Sequence, residues 1–145
     1  MLGSVDQLIE DFAVLDDWED RYRHVIELGR DLPPLLQADH VAANKVMGCA
    51  SQVWIISRAS GSSANPTLHV TGDSDALIVK GLIAVAFIIY SGRTARDILA
   101  TDSAAILAKL GLGEHLTPQR SNGFKSMIER IRSDARSMLQ TSSVT

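Results

Sequence analysis

Only one cysteine, Cys49, occurs in 145 residues. No disulfide can therefore form within the chain, a secreted disulfide scaffold is excluded, and a reducing compartment is expected. An excess of one charge is also lacking. Fourteen Lys and Arg stand against 17 Asp and Glu, a formal net charge of -3, which offers no overall field to a polyanion. Nucleic acid is not the expected partner. Aromatic residues make up 5%, too few to interleave with the basic residues between Arg120 and Arg136 as stacking platforms for bases. No apolar run is long enough for a bilayer: the longest, 82–90, falls well short of the ~20 residues a spanning helix needs. The N-terminus has no basic segment followed by an apolar one, so no signal peptide is expected.

What is present suits one globular domain, expected to span 1–145. The chain is 46% hydrophobic and 21% charged, which argues against disorder, collagen and coiled coil. Its length suffices to bury a core without staples. The charge is polarised. Residues 1–39 carry ten acids and three bases, whereas 40–145 carry seven acids and eleven bases. Such polarity speeds encounters between complementary proteins, although a solvated helix face is the simpler account of charge alone.

Periodicity and punctuation predict mostly helix. A short helix is expected over 5–13, and a longer one after the capping-box pattern Asp16-Asp17-Trp18-Glu19, ending before Pro33-Pro34. Residues 33–44 lack a firm period. Alternation predicts a strand over 52–60, a turn over 61–66 and an antiparallel mate over 67–71. Gly72-Asp73-Ser74-Asp75 then stops the strand and caps a helix running to Ser91, apolar nearly all round and so the buried spine. Thr94 and Asp102 cap two short helices, with Gly111-Leu112-Gly113 ending the second. Thr117-Pro118 opens the last helix, with Arg130, Arg132 and Arg136 facing water and a tail fraying from Thr141. The class is α+β.

Cys49 is the sharpest candidate for chemistry. It follows Gly48 at a junction entering a strand, where a thiol has few side chains beside it. A lone cysteine is also commonly an inert, buried apolar residue. A Cys-His thiol hydrolase would need His24, His40, His69 or His115 beside it, and no motif places any of them there. A non-catalytic protein-binding module is a third possibility. Metal-ligand spacings such as CxxC or HExxH are missing, as are the glycine fingerprints of dinucleotide and phosphate loops.

The residues around the cysteine add a resemblance. Lys45-Val46-Met47-Gly48-Cys49-Ala50-Ser51-Gln52-Val53-Trp54 resembles the signature of the SufE family. Arg21-Tyr22-Arg23 with Ile26-Glu27-Leu28-Gly29, Gly72-Asp73-Ser74-Asp75 with Ile78-Val79-Lys80-Gly81-Leu82, and Leu116-Thr117-Pro118 with Arg120-Ser121-Asn122-Gly123 are similar to further family segments in the same order. Ala50 departs from the pattern, which has a longer polar residue there.

The resemblance implies a fold like that of the cluster scaffold proteins, SufE/NifU-like, with an antiparallel sheet of about three strands packed by helices. It implies a cytoplasmic sulfur-transfer accessory protein, not an enzyme in its own right. Cys49 would take persulfide sulfur from a SufS-type cysteine desulfurase and pass it to an iron-sulfur scaffold complex. Pyridoxal phosphate stays on the partner, so no cofactor or metal of its own is implied. Cys49 is then expected on a loop tip turned toward apolar neighbours, swinging out on docking. Arg120 and Lys45 are candidates for stabilising the anion or gripping the partner. Asp73, Ser74 and Asp75 are expected to cap the helix and to support the cysteine loop. The oligomeric state is left open.

Overall fold

Alternating side chains build the central hairpin as expected. In a computed structural model, which describes residues 4–49 and 51–143, β1 (Val53–Ser60) pairs antiparallel with β2 (Thr67–Ser74). Val53 and Ile55 are fully buried, while Trp54 and Ile56 are half-buried on the opposite face, the period-two pattern of a strand with one core face. β2 continues past its expected end at Thr71: Gly72, Asp73 and Ser74 stay in the ladder opposite Ile55, Trp54 and Val53. A Cβ on Gly72 would lie 2.6 Å from the Trp54 carbonyl oxygen. This glycine therefore permits close approach between strands and does not make the turn. A third strand, β3 (Arg93–Thr94), pairs with β2 at Thr67 and Leu68, giving the order β1-β2-β3. Two residues are too short for any alternation to be read.

The apolar run after the hairpin becomes α3 (Leu77–Tyr90). Every residue from Ile78 to Tyr90 except Lys80 is buried. The helix lies at the centre, with β2, α2 (Trp18–Arg30) and α7 (Pro118–Ser143) packed on it. Contact with α2 is nearly backbone to backbone. A Cβ on Gly81 would lie 2.2 Å from the Val25 carbonyl oxygen, and one on Gly29 would lie 2.6 Å from the Gly81 nitrogen. The cap of α2 is Asp17, which accepts from the Glu19 amide at 3.0 Å, one residue past the expected Asp16. The remaining helices are α1 (Val5–Ala13), α4 (Ala95–Ala100), α5 (Ser103–Leu110) and α6 (Leu112–His115). Thr94 and Asp102 cap α4 and α5 as expected. With its three-stranded sheet and helices, the chain is α+β.

Two expectations for α7 are corrected. Its inward stripe holds, with Phe124, Met127, Ile128 and Ile131 buried. Arg130 and Arg132, however, do not simply face water: Arg130 donates to the carbonyls of Ala43 and Lys45, and Arg132 to those of Ile98 and Leu99. Long basic side chains lay their methylenes on the surface while the guanidinium satisfies carbonyls left over by irregular chain or, for Arg132, by the last turn of a helix. The helix also continues through Ser143, past the tail expected to fray from Thr141. Residues 144–145 and the departure at Ala50 lie outside the described residues. Among the described residues, no helix is long and apolar enough to cross a membrane.

Candidate functional site

Beyond Pro33-Pro34 the chain makes two short 3-10 turns, Gln37–Asp39 and Ala42–Asn44, and returns to the sheet. There Lys45 bridges Trp54, and the Val46 amide donates to the Val53 carbonyl at 2.8 Å. Met47, Gly48 and Cys49 thereby leave the sheet beside the edge of β1 away from β2, and Gln52 leads back into that strand. Gly48 has a φ of +90°, the left-handed region that glycine enters without strain. A Cβ there would also lie 2.6 Å from the Ser126 hydroxyl oxygen. The loop presents Met47 to solvent, 79% exposed, and turns Cys49 inward to half burial.

The thiol lies against α7, its Sγ donating to the Gly123 carbonyl at 3.5 Å. Beside it is a cavity of about 160 Å³ whose walls include Ala76, Val79, Leu82 and Met127, with Ser51, Gln119 and Arg120 as polar members. Burial pushes the Cys49 thiol above its ordinary pKa, because low-dielectric surroundings disfavour the thiolate. At rest near neutral pH, the sulfur is stored as a thiol. A larger cavity of about 530 Å³ lies between β1, the hairpin turn and α7, containing Ser57, Arg130 and Asp134 but no thiol; the cysteine chemistry belongs to the smaller one.

The far side of the loop is riveted to the end of β2. Asp75 accepts from the Gln52 amide at 3.0 Å, and the Ser74 hydroxyl donates to the Gln52 carbonyl at 2.7 Å. Asp73 accepts from its neighbour Ser74 at 2.8 Å, from His40 Nε2 at 2.8 Å, and pairs with Lys80 Nζ at 3.4 Å. These three residues are thus not the cap of α3, whose N-cap is Ala76 without a side-chain bond. With the strand running on through Ser74, it is Ser74 and Asp75 that bond the loop at Gln52, while Asp73 reaches His40 and Lys80. Burial pushes the Asp73 carboxyl up, but the His40 bond, the Ser74 amide and Lys80 outweigh it, leaving its pKa below the ordinary carboxylate value. The Asp73 bond raises the His40 pKa against an opposing burial effect.

The predicted residues divide. Arg120 is brought to the Cys49 cavity, where it also donates to the Tyr22 hydroxyl and sits 5.6 Å from the centre of that ring. Lys45 is not; it borders a separate groove with Met47, Ser126 and Glu129. His24 stands 3.7 Å from Asp11, His69 bonds the Ser60 hydroxyl, and His115 stacks on Trp18 at 4.1 Å. Among the described residues bordering the thiol cavity there is no histidine, so no Cys-His dyad is assembled. Nor do three His, Cys, Asp or Glu side chains converge on a metal position among the described residues. Sequence reasoning missed Gln119, Gly123 and Met127 as neighbours of the thiol. Their i, i+4, i+8 spacing on one helix face was a usable signal. Tyr22 carried none, being 98 residues from Arg120.

The SufE family model, described as an Fe-S metabolism associated domain, matches residues 6–135. A SufE-like protein of Rhizobium etli is 53% identical over 135 residues, which cover 93% of this chain and 91% of the relative. One of Rhizobium meliloti is 52% identical over 138 residues, covering 95% and 99%. The solution structure of a hypothetical protein from Thermus thermophilus matches with a TM-score of 0.74 over 94% of this chain and 96% of that one, at 20% identity, which speaks for the fold alone. With a family match across most of its length and relatives sharing half its residues, the chain belongs to the SufE family, a domain associated with iron-sulfur metabolism.

Proposed function

We infer that this protein is the sulfur acceptor and activator of a pyridoxal-phosphate-dependent cysteine desulfurase of the SufS type, with Cys49 as the covalent carrier. The observation that carries this reading is the placement of Cys49. A lone thiol on a glycine-hinged loop is stored over an apolar cavity with one cation at its edge and no histidine among the described wall residues. A carrier needs little else, because the partner generates the persulfide.

The Cys49 thiolate attacks the outer sulfur of the persulfide on the desulfurase cysteine. A new S–S bond forms at Cys49 as the partner's S–S bond breaks, and the electron pair leaves on the partner's thiolate. The transferred sulfur keeps its hydrogen, so no external oxidant or reductant is consumed. Rate depends on thiolate fraction, leaving group and access. The buried position limits the first and the last, so docking accelerates transfer by drawing Cys49 out of its cavity toward the partner's persulfide. Exposed Met47 and Leu77, 79% and 62% accessible, flank the loop and the cavity wall and supply apolar surface for the partner. Arg120 is placed to stabilise the thiolate or the new persulfide. Lys45, outside the cavity, is left with gripping the partner. A downstream iron-sulfur scaffold then receives the sulfur, and the cytoplasm is the fitting compartment.

Intact-mass analysis after mixing with a desulfurase and free cysteine tests this. Sulfur-sized increments that localise to Cys49 and disappear with a reductant are expected. Full desulfurase stimulation by the Cys49→Ser variant would overturn the carrier assignment.

A further inference from the structure

His40 lies at an unusual junction. Its Nδ1 donates to the Leu36 carbonyl at 3.0 Å and its Nε2 lies 2.8 Å from Asp73 Oδ2. A carbonyl oxygen can only accept, and an ionised carboxylate can only accept, so satisfying both bonds requires a proton on each ring nitrogen. The ring also meets Trp54 edge-on, centroids 4.6 Å apart, and Trp54 is the residue bridged to Lys45.

The end of β2 is thus tied to both sides of the cysteine loop. Asp73 holds, through His40, the strap of residues 33–46 that leads into the loop, and Ser74 with Asp75 holds the outgoing Gln52. We propose that His40 is the positioning residue of the thiol loop, a doubly donating imidazolium that keeps the strap against β2 and Cys49 in its cavity until one bond is lost. The consequence for sulfur transfer rests on the reading of Cys49 as a carrier; the tie itself does not.

Loss of one proton breaks the arrangement whichever nitrogen gives it up. If Nε2 is bare, its lone pair faces the Asp73 carboxylate; if Nδ1 is bare, it faces the Leu36 carbonyl. The charged groups near the ring are Asp73 on β2, Lys80 on α3 through Asp73, and Asp39 on the strap itself, with uncharged Trp54 on β1. The pKa of His40 is raised, so the tie is complete below the ordinary imidazole value and is lost as pH rises through the higher folded value. Asp73 is shifted down and gives up its side only in acid.

Cys49 is the sole cysteine, so alkylation of the native protein by iodoacetamide reports its exposure with no desulfurase present. The rate is compared across pH between wild type and His40→Arg, which stays charged. The ratio of wild-type to variant rate should be flat below the His40 midpoint, read by NMR from the ring protons, and rise on the order of fivefold above it, the lower end of site-to-site coupling. Losing a positive charge near a thiol by itself slows alkylation, so a rise cannot come from charge alone. His40→Ala should show the fast behaviour at every pH. A ratio that stays flat, or falls, through the NMR midpoint overturns the proposal. Sulfur loading of Cys49 is scored separately, so failure of either idea is distinguishable from failure of the other.

Discussion

As the proposed carrier, Cys49 would face two opposed demands. Nucleophilic attack needs a thiolate that can reach the partner's sulfur, while a stored persulfide needs shelter from reductants and oxidants. The half-buried thiol, bonded to the Gly123 carbonyl and shifted up by burial, meets the second demand at rest. Arg120 stands at the same cavity and Lys45 does not, which separates two cations the sequence treated alike. Arg120→Ala should slow single-turnover sulfur transfer by ~10-fold, the worth of one lost contact to a charged group, at saturating desulfurase. Lys45→Ala should leave that saturated rate unchanged and raise the desulfurase concentration needed to reach it. Rapid-quench mass analysis of Cys49 checks both. Cys49 as a candidate was legible from one glycine and a strand start, and its turn toward apolar neighbours was expected; which residues form that shelter was not legible, because α7 contributes the opposite wall from 74 residues away in sequence.

At the scale of elements, α3 and its crossing with α2 position everything else. The run of apolar residues through Tyr90 announced a buried helix, but the reason for two glycines inside helices appeared only on packing. Gly29 and Gly81 sit at the crossing, where backbone meets backbone. Gly81→Ala should cost ~2–3 kcal/mol, since the added methyl must displace main chain and not a flexible side chain, despite alanine's better helix propensity. A urea unfolding midpoint that falls with unchanged slope would show it. The segment Gly72-Asp73-Ser74-Asp75 was misread for an instructive reason. Short acceptors before an apolar run have the composition of a helix cap, yet the same residues suit the last rungs of a strand that must hold a loop. Propensity does not distinguish these; the register of β2 on β1 does.

The whole molecule keeps the charge asymmetry visible in its composition. On α1, α2 and their links, Asp6, Glu10, Asp16, Asp17, Glu19, Asp20, Glu27 and Asp31 are all exposed, so the acidic first portion is a real surface. Association with a desulfurase should therefore be steered by charge. Its rate constant, followed by stopped flow, should change severalfold between ~0.05 M and ~0.5 M salt, where screening shortens to a few ångströms. A salt-independent rate would return these acids to the role of an ordinary solvated face.

Composition, alternation and cap residues were enough to determine the class, the central hairpin, the buried helix and the single cysteine that could carry thiol chemistry, because those depend on local periodicity and on what one residue type can do. The meeting of Cys49 with Gly123, of Arg120 with Tyr22 and of His40 with Asp73 was decided only by the tertiary structure. Each joins residues between 33 and 98 positions apart, and no local preference encodes such a distance. It is the burial of α3 against the sheet and α7 that brings them within reach.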